Sequence, residues 1–249
     1  MKKLFLTLCF FGFVGCKNDS VKNKIIDGLP VSSTIVIQPA QATQQFLVVH
    51  RDAAGSAISI IGRLNAVNPQ YPELTGPDGL GRYTLQTFSP RYTYSTVTLQ
   101  FKDSNGTTIN PIQTQSSSAT VKSVEIGISG QSPSFNFTSA LTLTLETAGN
   151  IEANKRLSGT SQFTNTPYTI NYNLPSPGIK TIFEGFTAGQ MTASGNNSAT
   201  SQALTLELSF SSDRTSSGSL TWDGETGTLR FDDKGDGYVI TQNQRIILN

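Results

Sequence analysis

The sequence predicts an all-β chain, folded as an antiparallel β-sandwich or meander, and three observations carry that prediction. Apolar side chains alternate with polar ones in "TVTLQF" (Val97, Leu99, Phe101), "LTLTLE" (Leu141, Leu143, Leu145) and "LTLELSF" (Leu204, Leu206, Leu208, Phe210). This period of two puts one face of a strand on a core and the other toward water. Turn chemistry separates the runs: "DSNG" after Phe101, "TAGN" after Glu146, "WDGETG" at 222 to 227 and "DDKGDG" at 232 to 237. No stretch shows a three-turn amphipathic helix, and "PSPGIKTIFEGF" (175 to 186) offers one turn at most.

The first segment is of a different kind. Lys2 and Lys3 precede an apolar run from Leu4 to Val14, the layout of a secretory signal peptide. A run of eleven residues is too short to cross a bilayer, which takes about 20. The run ends in Phe13-Val14-Gly15-Cys16, which resembles the lipobox of bacterial lipoproteins, with Phe13 where leucine is commonest. The resemblance covers only about the first 20 residues. It implies cleavage before Cys16 (signal peptide 1–15), a diacylglycerol on the Cys16 thiol and attachment to the membrane through that lipid. Cys9 lies in the discarded part, so Cys16 is the one cysteine left and no internal disulfide is expected. Each buried methylene of an acyl chain contributes about 0.8 kcal/mol, so more than one chain anchors stably. Lys17 after the cysteine resembles the pattern of lipoproteins sent to the outer membrane of a Gram-negative host, and "CKND" is similar to the export signal of some surface-exposed ones.

Residues 17 to 33 are polar at first and lack sustained periodicity, which reads, with Cys16, as a flexible tether over 16–33. From Thr34 onward the pattern is read as strands. A first β subdomain is expected over 34–130, where "VTLQFKDSNGTTI" is similar to the strand, turn and strand of bacterial Ig-like modules. A second is expected over 131–249, with "SGQSPS" as the boundary, although one continuous meander fits as well. Internal similarity marks the second part: "SGTSQFTNTPYTINY" (158 to 172) lies over "SGSLTWDGETGTLRF" (217 to 231), matching Phe163 with Trp222, Ile170 with Leu229 and Tyr172 with Phe231. A weaker copy, "RYTLQTF" followed by "STVTLQF", makes a strand and hairpin unit that recurs about three times.

Composition narrows the function. Without Lys2 and Lys3 the processed chain has 16 basic against 17 acidic residues, scattered along its length. Nucleic acid needs a concentrated basic face, and no such face or polybasic tract is present. Charged residues are 14% of the chain and serine and threonine fill the difference, the profile of an exported β protein with polar, uncharged faces.

Candidate chemistry is sparse. His50 is the only histidine and is read as a strand-end residue; without further ligands zinc is not expected, and no other cofactor is implied. G-x-S-x-G, Walker and G-x-G-x-x-G motifs are absent. Glu125, Glu146, Glu184 and Glu207 would serve a glycosidase if two of them faced each other. "DDKGDG" partly matches a calcium loop through Asp232, Asp236 and Gly237, but Lys234 and Asn243 stand at ligand positions, so a hairpin turn is the better reading. Among the aromatic residues Trp222, Tyr71, Tyr83, Tyr92, Tyr94, Tyr168 and Tyr238, the pair Tyr92 and Tyr94 in "PRYTYS" shares one strand face and is the candidate ligand platform; Trp222 is expected in the core. The expectation is a lipid-anchored, non-enzymatic envelope protein that binds a glycan or an envelope protein. The other classes are a secreted glycan hydrolase and a β-barrel carrier of an apolar ligand.

Overall fold

A computed structural model describes residues 31–89, 92–115, 117–132, 135–150, 154–165, 167–183, 185–222, 224–241 and 245–248. One long helix and one large antiparallel sheet make up the fold, an all-β meander apart from that helix. Helix α1 (Val31–Arg63) is followed by β1 (Leu74–Thr75), β2 (Tyr83–Ser89), β3 (Tyr92–Lys102) and β4 (Thr108–Ile109). Then come β5 (Ser123–Gln131), β6 (Asn136–Leu145), β7 (Lys155–Asn165), β8 (Tyr168–Ile182), β9 (Gly185–Asn197) and β10 (Gln202–Phe210). The chain ends in β11 (Ser216–Trp222), β12 (Glu225–Phe231), β13 (Gly237–Ile240) and β14 (Arg245–Leu248). Each strand pairs with the next in sequence, except that β4 is a side branch on β3 and β5 takes its place in the order. The strands before and after residue 130 are hydrogen-bonded in this one sheet, through β5 and β6. The sheet does not close into a barrel.

The helix corrects the sequence reading of residues 31 to 63, which took the end of a tether and then strands. His50 is therefore in mid-helix and not at a strand end. The physical reason is enclosure. Between Gln38 and Leu64 only Asp52 is exposed, so the polar stripe of the helix is narrow: Gln38, Gln41, Gln45, Asp52, Ser56, Ser59 and Arg63 follow a period of 3.6, and the other sides are mostly apolar and buried. No acidic residue marks its first turn, and Pro39 sits inside it. The part of the expected tether at 16–30 lies outside the described residues.

The sheet curls around this helix. α1 touches β5, β8, β9 and each of β11 to β14, so the inner side chains of strands far apart in the sheet meet on one rod. The alternation seen in the sequence supplies that inner face: Leu204, Leu206, Leu208 and Phe210 of β10 are buried and the residues between them are exposed. Phe137, Leu141, Leu143 and Leu145 of β6 are buried likewise, with exposed or half-buried residues between them. The two internally similar segments each form a hairpin, β7–β8 and β11–β12, and their matched residues Phe163 with Trp222, Ile170 with Leu229 and Tyr172 with Phe231 are all buried, but the registers differ: Phe163 is opposite Ile170, whereas Trp222 is opposite Glu225. At Gly55 the helix meets the tip of the β8–β9 hairpin so closely that a Cβ would lie 2.7 Å from the Phe183 carbonyl oxygen.

Candidate functional site

Cys16 lies outside the described residues. Tyr92 and Tyr94 belong to β3, opposite Ser89 and Gln131 respectively, and their side chains are likewise outside what is described.

Asp232 and Asp236 bracket the β12–β13 turn. The Asp232 Oδ1 accepts the backbone N–H groups of Lys234 and Asp236, each at 2.9 Å, while Gly235 N–H donates to the Asp232 carbonyl at 3.1 Å. Two other turns repeat this arrangement. Asp78 accepts from Leu80 and Arg82, with Gly81 donating back to the Asp78 carbonyl. Asp103 accepts from Asn105 and Thr107, with Gly106 donating back. In all three the glycine is left-handed, with φ of +77°, +78° and +82° for Gly81, Gly106 and Gly235. The spacing that partly matched a calcium loop is thus the D-x-x-G-x spacing of a hairpin turn, in which an aspartate side chain stands in for a missing backbone acceptor. Among the described residues no three His, Cys, Asp or Glu side chains are grouped to hold a metal ion.

His50 is fully buried and stacks on Phe46, with ring centroids 3.9 Å apart. Its Nδ1 lies 2.6 Å from the Phe46 carbonyl, so Nδ1–H donates there and Nε2 accepts from the Ser139 hydroxyl at 2.8 Å. Ser139 in turn is 2.8 Å from Ser161 Oγ. Burial without a counter-ion pushes the imidazole pKa down to about 4, and the Phe46 carbonyl only partly opposes that. Nearby, Thr43 donates to the Pro39 carbonyl at 2.9 Å, so the Tyr172 hydroxyl donates to Thr43 Oγ1 at 3.2 Å. Burial raises the Tyr172 pKa. These groups satisfy one another in the core, with only Ser139 half-buried and the rest enclosed.

The acids weighed for hydrolysis stand apart. Glu125 and Glu207 project from exposed positions of β5 and β10, five strand steps apart. Glu146, just past β6, is engaged by Asn154 at 3.0 Å and Arg156 at 3.3 Å. Glu184 lies outside the described residues.

The outer face of the sheet is the broad feature. One cross-strand row runs from Thr96 through Ser129, Thr138, Gln162, Asn171, Ser194, Thr205 and Thr221 to Thr226, crossing β3 and β5 to β12. The adjacent row runs from Thr98 through Gly127, Ala140, Thr160, Asn173, Thr192, Glu207 and Ser219 to Thr228. Glu207 is the one charged residue in these two rows of nine, where an average composition of about one quarter charged would place four or five.

At the C-terminal corner of that face lies a shallow groove of about 640 Å³. Ser217, Arg230, Tyr238 and Ile247 are successive cross-strand neighbours on β11 to β14 and line it, together with Arg245, Asp232 and Asp236. The Arg245 guanidinium stacks 3.9 Å from the Tyr238 ring centroid. Ile247 is 67% exposed. Neither Arg230 nor Arg245 forms an ion pair with a described residue. The alternation of "RFDDKGDGYVI" could have found half of this group, since the Asp232–Asp236 turn sets Arg230 opposite Tyr238; Arg245 needed the β13–β14 pairing.

A second opening runs along the helix. Asp52, Ser56, Ser59 and Arg63 floor a groove of about 490 Å³ walled by Leu85 and Phe183. Arg63 forms an ion pair with Glu73 at its margin and lies over the Tyr71 ring at 5.0 Å.

Searches of protein families, curated proteins and solved structures found no match to this chain.

Proposed function

We propose that the protein is a lipid-anchored, surface-exposed module of the cell envelope that binds its partner without transforming it. The observation that carries this reading is the outer face: hydroxyl and carboxamide groups ordered in register across nine strands, with almost no charge among them. Such a face offers many weak, directional hydrogen bonds, which suits a glycan or the uncharged surface of an envelope protein. A hydrolase needs two converging carboxyl groups, and Glu125, Glu146 and Glu207 each have separate surroundings. A carrier needs interior space, and α1 occupies the interior of the curled sheet. Among the described residues no helix is long and apolar enough to cross a membrane. Attachment is assigned to the lipid on Cys16.

Metabolic labelling with radioactive palmitate tests the anchor. Wild type should incorporate label, and Cys16→Ala should incorporate none and run slightly slower because the leader is retained. Equal labelling of the two proteins, or no labelling of either, would remove the anchor from the account.

A further inference from the structure

We infer that the groove at the C-terminal corner of the outer face is a binding site for a neutral polysaccharide; this rests on the binding-module reading and names its partner. The lining combines a partly exposed aromatic ring and an apolar neighbour, Tyr238 and Ile247, with polar groups around them. A sugar ring has the same division, an apolar C–H face and a rim of hydroxyls, so the two surfaces match in kind. Arg230 and Arg245 supply planar donors, and Asp232 and Asp236 balance their charge. Those four charges sum to zero. A groove with no net charge, opening onto rows that carry a single carboxylate, gives no electrostatic preference for a polyanion or a polycation. The partner that complements it is uncharged and rich in hydroxyls. The rows would then extend contact along the chain of a polymer whose one anchored unit sits on Tyr238.

Native gel electrophoresis of the full lipidated chain in detergent, with a polysaccharide cast into the gel, tests this. The probes are a neutral panel (β-glucan, galactomannan, xylan and dextran) and a charged pair (alginate and chitosan). At least one neutral polymer should retard migration, equally at low and high salt. Tyr238→Ala and Arg245→Ala should each weaken that retardation at least tenfold, with circular dichroism and melting temperature unchanged. A third variant, Lys122→Ala, lies off this face and should bind as wild type does. Retardation by none of the neutral polymers, or retardation untouched by both groove variants, would overturn the inference and leave the binding-module reading standing. Retardation by alginate or chitosan that vanishes with salt would replace it with an electrostatic site. Release of reducing ends from a bound polymer would instead overturn the non-enzymatic reading.

Discussion

His50 shows how much a single buried side chain can set. Its unfolded-state pKa is near 6.5 and its folded one is about 4, so between those values only the unfolded chain binds the proton. Acidification through that window favours unfolding. The stability due to neutral burial is complete above pH 6.5 and falls by about 3 kcal/mol by pH 4. The carboxylates act elsewhere on the scale. Hydrogen bonds hold the pKa of Asp78 (from the Arg82 backbone), Glu146 (from Asn154) and Asp213 (from Thr215) below the ordinary value, so their contribution is complete above the ordinary carboxylate pKa and is lost as the pH falls from there through the lowered folded value. Urea midpoints at pH 7 and pH 4.5 should therefore differ strongly in wild type. In His50→Leu, which fills the same space and leaves Ser139 bonded to Ser161, the stability at pH 7 should drop by about 1 to 2 kcal/mol, read as a lower urea midpoint, and most of the difference between the two pH values should vanish. A wild-type midpoint that is flat across this window would contradict the buried, neutral imidazole. None of this was legible in the sequence, because a lone histidine after an apolar run carries no mark of what encloses it.

The turns are the element-scale counterpart. Three D-x-x-G-x hairpin turns share one hydrogen-bond scheme, and a fourth uses Ser211 to Thr215 with the same backbone bonds. There Arg214 takes the left-handed position, with φ of +68°, and its guanidinium reaches Asp233 of the neighbouring turn at 3.1 Å. Asp103→Ala removes the acceptor of two backbone N–H groups in an exposed turn and should cost about 1 kcal/mol, read as a lower melting temperature. No change would mean that water replaces the carboxylate at no cost. Strands and turns were readable because each is a local signal: Leu204 to Phe210 alternates along its own length, and Gly106 and Gly235 stand where a chain must turn left-handed. The helix left one local mark, the stripe Gln38, Gln41, Gln45, Asp52, Ser56, Ser59 and Arg63, which is interrupted at Val48 and outweighed by "FLVVH", a run that satisfies a strand pattern equally well.

For the molecule as a whole, the division of labour is between an inside that is full and an outside that is ordered. α1 takes the place that a ligand or a second sheet would occupy, so of the two expected forms, sandwich and meander, the chain takes the meander, as a single curled sheet. The low charge of the two central rows was visible in composition, in the small share of charged residues and the abundant serine and threonine. The alignment of those residues into rows was not, because register between strands such as β7 and β8 depends on bulges and turns. The corner groove likewise joins Arg230 to Arg245 only through pairing of three strands. The central claim is that this outer face works at the cell surface, held there by Cys16. Protease shaving of intact and lysed cells tests it most directly, comparing wild type with Cys16→Ala. The account predicts that wild type is cleaved on intact cells and that the mutant is absent from the surface. Wild type that is cut only after lysis, or a mutant that remains on the surface, would contradict it.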